Sequence, residues 1–173
     1  MTTPYDAIVL AGGAARRLGG ADKPGVLVGG RALLDRVLAA CAGAGTTVVV
    51  GEPRTTTRPV RWTREEPAGG GPLAALDAGL RQTTAPLVLA LSADLPFLGA
   101  PTVTALLDAL VAGGHEGVLC VDDGGREQPL VAAYRAEPLR RALALVAAEH
   151  GGLAGLPLRL LTRKLGLAHL AAP

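Results

Sequence analysis

An alternation along the chain constrains its fold more than any other feature. Short runs of Val, Leu and Ile are each followed by a longer stretch in which apolar residues return at helical spacing. Continuous apolar runs belong to strands buried on both faces, and the helices between them cover those faces, so the pattern defines a mostly parallel sheet clad in helices. Strands are expected near Asp6–Ala11, Thr46–Val50, Val60–Thr63, Pro86–Leu91, Gly117–Val121 and Pro129–Tyr134. Helices are expected over Arg31–Gly43, Pro72–Gln82, Pro101–Ala112 and Glu137–Ala148, with a further one over Pro157–Leu165. Pro72, Pro101, Pro138 and Pro157 stand where those helices begin, a place that suits a fixed φ and a missing N–H. With 173 residues, the whole chain is read as a single α/β domain with one site.

Composition narrows what such a domain can bind. The hydrophobic fraction of 49% is mostly Ala, Leu and Val, and the aromatics are Tyr5, Trp62, Phe97 and Tyr134. A nucleobase would therefore be held by backbone and aliphatic contacts. The formal charge is +2 and the basic residues are scattered, which argues against nucleic acid as a partner. No basic segment followed by an apolar one opens the chain, and no uncharged apolar run reaches the roughly 18 residues needed to span a bilayer. The expectation is a cytoplasmic protein without membrane contact. Cys41 and Cys120 have no metal spacing and read as core thiols, while His115, His150 and His169 read as surface or loop residues.

Ligands of open α/β sheets bind beyond the carboxyl ends of the strands, so the loops after Ala11, Thr63 and Leu91 should converge. The first runs Ala11-Gly12-Gly13-Ala14-Ala15-Arg16-Arg17-Leu18-Gly19-Gly20-Ala21-Asp22-Lys23. Glycines let backbone N–H groups approach phosphate oxygens, and Arg17 with Lys23 supplies a forked donor and a point charge. The spacing fits neither the P-loop nor the dinucleotide fingerprint. On composition alone a glycine turn with solvated arginines remains open, although Lys23 and Lys164 are the chain's only lysines. The second loop, Glu65-Glu66-Pro67-Ala68-Gly69-Gly70-Gly71-Pro72, puts carboxylates before a helix; a carboxylate can accept both edge N–H groups of guanine, while a plain surface acid is as good a reading of Glu65. In the third, Ser92-Ala93-Asp94-Leu95-Pro96-Phe97, a carboxylate ends a very apolar strand, where it suits a magnesium ligand or a turn cap. Pro96 would rigidify this turn and Phe97 would anchor it.

The stretch Leu10-Ala11-Gly12-Gly13-x-x-x-Arg17-Leu18-Gly19-x-x-Asp22-Lys23 resembles the long signature of the molybdenum cofactor guanylyltransferases, within the MobA-like nucleoside-triphosphate transferases. The resemblance extends to an acidic residue before Gly71-Pro72-Leu73-Ala74, to Asp94-x-Pro96-Phe97, and to Gln128 before Pro129, and it runs from about Ile8 to Tyr134. It implies the nucleotide-diphospho-sugar transferase type of three-layer α/β/α fold with a Rossmann-like sheet. It further implies that Leu10, Ala11, Gly12, Gly13, Lys23, Glu66 and Gly71 bind the nucleotide and that Arg17 and Lys23 neutralise the departing pyrophosphate. Asp94 becomes the catalytic Mg2+ ligand, and Gln128 lies toward the acceptor.

The implied reaction moves GMP from GTP to the phosphate of molybdopterin and releases pyrophosphate, with transient contact to other cofactor-biosynthesis proteins. A sister branch uses CTP and usually reads Leu-Ala-Ala-Gly, so Gly12 and the Gly71–Ala74 element favour GTP. The alternatives are a CTP-dependent or other small-acceptor transferase, and a non-catalytic nucleotide-binding protein that lacks the acceptor half. The chain departs from the family in two places: Gly51 stands where many relatives have Asn, and the Asn-x-Asn-Thr-Pro segment that usually follows the last strand is not among these residues.

Overall fold

A computed structural model describes residues 3–12, 17–18, 21–22, 27–28, 31–96 and 98–171. Its centre is β1 (Tyr5–Leu10), flanked by β6 (Thr47–Val50) and β8 (Leu87–Ser92), all buried along nearly their whole length. The seven-stranded sheet is completed by β7 (Arg61–Thr63), β9 (Gly117–Val121), β10 (Glu127–Arg135) and β11 (Leu167–Ala171), in the order β11-β9-β10-β8-β1-β6-β7. Every strand in this sheet runs the same way except β10, which lies antiparallel between β8 and β9. Between β1 and α1 the chain forms two short ribbons, β2 (Arg17–Leu18) with β3 (Ala21–Asp22) and β4 (Leu27–Val28) with β5 (Arg31–Ala32).

The period-2 geometry of the strands divides the core in two. Ala7 and Val9 of β1 and Leu87, Leu89 and Leu91 of β8 face one layer, with α1 (Leu33–Ala40) and α3 (Ala100–Ala112). Ile8 and Leu10, with Val88 and Ala90, face the other, under α2 (Pro72–Leu80), α4 (Ala136–His150) and α5 (Arg159–Thr162). This is the expected three-layer α/β/α arrangement.

The differences lie at element ends. The first helix starts at Leu33, because Arg31 and Ala32 pair with Leu27 and Val28 in a ribbon. Pro138 occupies the third position of α4, Pro101 the second of α3, and Pro157 precedes a helix of only 4 residues. Strand β11 was not expected: Leu-Ala-His-Leu-Ala carries no β-branched residue, so its strand state comes from pairing with β9 and not from local preference. It holds His169, which is surface-exposed and 2.8 Å from the Glu127 carboxylate. Cys41 and Cys120 are buried free thiols, as expected, and burial pushes both thiols above their ordinary pKa.

Two helices end without basic residues of their own and are capped from elsewhere. Arg135 donates to the carbonyls of Leu110, Gly113 and His115 at the end of α3. Arg58 donates to Leu38 O at 3.0 Å, Cys41 O at 3.1 Å and Thr47 Oγ1 at 2.8 Å, closing α1 and pinning the 51–60 loop. The Arg58→Met variant keeps the aliphatic stem and loses these bonds, so urea unfolding should show a loss of about 1–2 kcal/mol.

Candidate active site

The loops at the carboxyl end of the sheet are laced together by main-chain hydrogen bonds. Ala11 N donates to Val50 O at 2.8 Å, Gly51 N to Thr63 O at 3.0 Å and Ala93 N to Leu10 O at 3.0 Å. The loops after β1, β6, β7 and β8 thus meet at one rim, as parallel strands require, and Leu10, Ala11 and Gly12 stand at its centre. Gly13 and Lys23 lie outside the described residues, and Arg17 enters β2 through its pairing with Asp22.

Gly51 has a close-packing reason to be glycine. A Cβ there would sit 3.1 Å from both Ala11 C and Gly12 N, which are backbone atoms that cannot swing aside. Any side chain at position 51 would press on the backbone that follows β1.

The Asp94 turn is held from two sides. The Ser92 hydroxyl, nearly buried at the end of β8, donates to Asp94 Oδ1, which fixes the carboxylate at the strand end. From α1, Arg36 Nε donates to Pro96 O at 3.2 Å. Sequence reasoning missed Arg36, since it lies 60 residues away in the chain. Phe97 lies outside the described residues.

The second loop is shaped by its glycines. A Cβ on Gly70 would lie 2.8 Å from Pro67 O, and Gly71 has φ 89° at the N-cap of α2, a conformation that favours glycine. Among the described residues no side chain caps α2, whose positive dipole end faces its N-terminus. The two glutamates differ. Glu66 is exposed, whereas Glu65 is only 6% exposed and has no hydrogen-bond or ion-pair partner among the described residues. The sequence reading preferred Glu66, the exposed member of the pair. An unpartnered buried carboxylate is costly unless something supplies donors to it.

Gln128 opens β10 beside the carboxyl end of β9, opposite Cys120. The pairing register slips between Gln128 and Ala132, where Pro129 has no N–H to give, and the Tyr134 hydroxyl satisfies Pro129 O at 2.9 Å. Since β10 is antiparallel to β8, this bulge lies at the same end of the sheet as Asp94. The Gln128 amide makes only long contacts, 3.4 Å to Asp122 Oδ2 and 3.4 Å to Arg126 O, so it can turn to another acceptor.

As to metal, no group of three or more His, Cys, Asp or Glu side chains is assembled among the described residues. Mg2+ needs only one or two protein carboxylates and completes its shell with water and substrate phosphate, and Asp94, half-buried and accepting from Ser92, would be such a carboxylate.

The ends of β1, β6 and β7 and the Ser92–Asp94 turn gather at the carboxyl end of a mostly parallel sheet, the place where open α/β sheets bind their ligands. The MobA-like NTP transferase domain matches residues 7–165, well past Tyr134. A molybdenum cofactor guanylyltransferase from Shewanella sp. (strain MR-4) is 32% identical over 136 residues, 76% of this chain and 68% of that protein. One from Shewanella frigidimarina is 31% identical over 137 residues, with 76% and 69% covered. The chain belongs to the MobA-like NTP transferase family and is a nucleotidyltransferase. The fold is shared with molybdopterin-guanine dinucleotide biosynthesis protein A from Archaeoglobus fulgidus, at TM-score 0.71 and 21% identity over 96% of this chain and 83% of that one. It is also shared with 2-C-methyl-D-erythritol 4-phosphate cytidylyltransferase from Thermus thermophilus, at TM-score 0.68 and 20% identity over 100% and 90%.

Proposed function

We propose that this protein transfers GMP from GTP to the terminal phosphate of molybdopterin and releases pyrophosphate, with Mg2+ as cofactor. The observation that carries the reading is the junction of Leu10–Gly12 with the Ser92–Asp94 turn, joined by the Ala93 N to Leu10 O bond, in a family whose guanylyltransferase members resemble the chain above 30% identity. A phosphate oxygen of the acceptor attacks the α-phosphorus of GTP in line. The new P–O bond forms as the bond to the β-phosphate oxygen breaks, and the electron pair leaves with pyrophosphate. No protein nucleophile is needed, so the residues act by positioning and by charge.

In this reading Gly12 and Gly13 bring main-chain N–H groups to the phosphates, and Arg17 and Lys23 offset the charge on the departing pyrophosphate. Asp94 would hold Mg2+, which supplies charge neutralisation to the phosphate oxygens. Gly71 and the α2 N-terminus shape the base side, and Gln128 lies on the acceptor side. We assign the carboxylate that accepts the guanine edge to Glu65 in place of Glu66, because burial without a partner is what a base-reading carboxylate shows before its ligand arrives.

Calorimetry with GTP, CTP, ATP and UTP, with and without Mg2+, tests the reading. GTP should bind best and need Mg2+. Glu65→Gln should weaken GTP by about tenfold or more, since an amide offers one donor where the base needs two acceptors, while Glu66→Gln should stay within about twofold. Preference for CTP, or equal effects at both glutamates, would overturn the guanine assignment, and nucleotide binding without pyrophosphate release on addition of molybdopterin would mark a non-catalytic protein.

A further inference from the structure

Beyond Tyr134 the resemblance to the family signature gives no residue a role, yet a loop from that region touches the nucleotide side. After α4 the chain runs Gly151-Gly152-Leu153-Ala154-Gly155-Leu156, and Gly155 N donates to Gly70 O at 2.8 Å. The Gly155 backbone also lies closest to where a Cβ on Gly71 would stand, at 3.8 and 3.9 Å. Leu153 and Leu156 pack on the core layer shared by α2 and α4, so the position of Gly155 is fixed by the domain interior. Gly155 itself has φ 74° with nothing within 4 Å of its would-be Cβ. Space does not demand glycine there, but the backbone conformation favours it.

We infer that Gly155 is a positioning residue for nucleotide binding, holding the Gly69–Gly71 loop in its binding conformation through the bond to Gly70 O. The inference rests on the assignment of that loop to the base side in the proposed function. Gly70 and Gly71 are free to take many conformations, and Gly69 and Gly71 already sit at φ 74° and 89°. An unanchored run of three glycines loses much entropy on ordering, and nucleotide binding would have to supply it. The anchor from Gly155 supplies that order in advance. A side chain that resists positive φ at 155 would rotate its N–H away from Gly70 O, and the ordering cost would return as lost affinity.

The test uses the full chain in three variants. Gly155→Val forbids the left-handed conformation, whereas Gly155→Asn tolerates it and should rescue. Gly151→Val is the control: Gly151 has the same φ 74°, also has open space around it, and caps α4 without touching Gly70. Hydrogen exchange of the nucleotide-free protein should show faster exchange across 66–72 in Gly155→Val alone. KM for the preferred nucleotide should rise about fivefold in Gly155→Val with kcat nearly unchanged, while Gly155→Asn stays near wild type. Gly151→Val should lower thermal stability and leave KM alone. Unchanged exchange at 66–72 in Gly155→Val, or equal KM shifts in Gly151→Val, overturns the inference. Faster exchange with a preference for a nucleotide other than GTP supports the anchor and overturns the guanine reading instead.

Discussion

Asp94→Ala is expected to lower kcat/KM for pyrophosphate release from GTP by on the order of 1000-fold, with little change in thermal midpoint. The carboxylate is half-buried at the carboxyl end of β8 and accepts from the Ser92 hydroxyl. Removing it takes away the hard anionic oxygen that would hold Mg2+ against the triphosphate, and the charge that develops on pyrophosphate loses its neutralisation. Asp94→Asn separates charge from shape: the amide oxygen can still accept from Ser92, but it is a poor partner for Mg2+. The two variants should be similarly inactive, and their residual GTP binding should no longer respond to Mg2+. Activity within about threefold of wild type in Asp94→Asn would show that another group holds the metal.

Asp6→Ala should cost about 3 kcal/mol of stability, read from the shift of a urea transition at unchanged slope. Asp6 is 3% exposed at the amino end of β1, away from the rim of the site. One oxygen accepts from Thr46 N at 2.8 Å, and the other accepts from Thr84 N at 2.9 Å and Ala85 N at 3.0 Å. These donors lie in the segments leading into the two strands that flank β1, so one carboxylate ties the entries of β6 and β8 to β1. Alanine would leave the amides buried without acceptors. Asparagine should help little, because one of its two positions becomes an NH2 group facing N–H donors. A loss below about 1 kcal/mol in Asp6→Ala would mean that water replaces the carboxylate there.

The legible and illegible parts of the fold divide by physical cause. The buried strands β1, β6 and β8 were readable because a strand covered on both faces must be apolar throughout, and Val48-Val49-Val50 and Leu87-Val88-Leu89 admit no other economical reading. The edge strand β11 was not, because its five residues satisfy pairing with β9 without a sequence preference for it. Pro129 was read as the start of a strand, but only the pairing with β8 and β9 showed that the strand begins at Glu127 and runs against its neighbours.

The site divides the same way. Sequence by itself determined the order of the chemistry: glycine loop, carboxylate loop and Ser92-Ala93-Asp94 turn each follow a strand, and parallel strands bring such loops to one rim. It determined the family as well, since the Leu10–Lys23 signature is a local string. Tertiary structure alone decided which of two adjacent glutamates is buried, why position 51 favours glycine, that Arg36 and Ser92 hold the Asp94 turn, and that Gly155 reaches Gly70. Each of these depends on atoms far apart in the chain meeting at van der Waals or hydrogen-bond distance. Periodicity and propensity describe a residue's neighbours along the chain, and carry no record of the neighbours that folding brings across it.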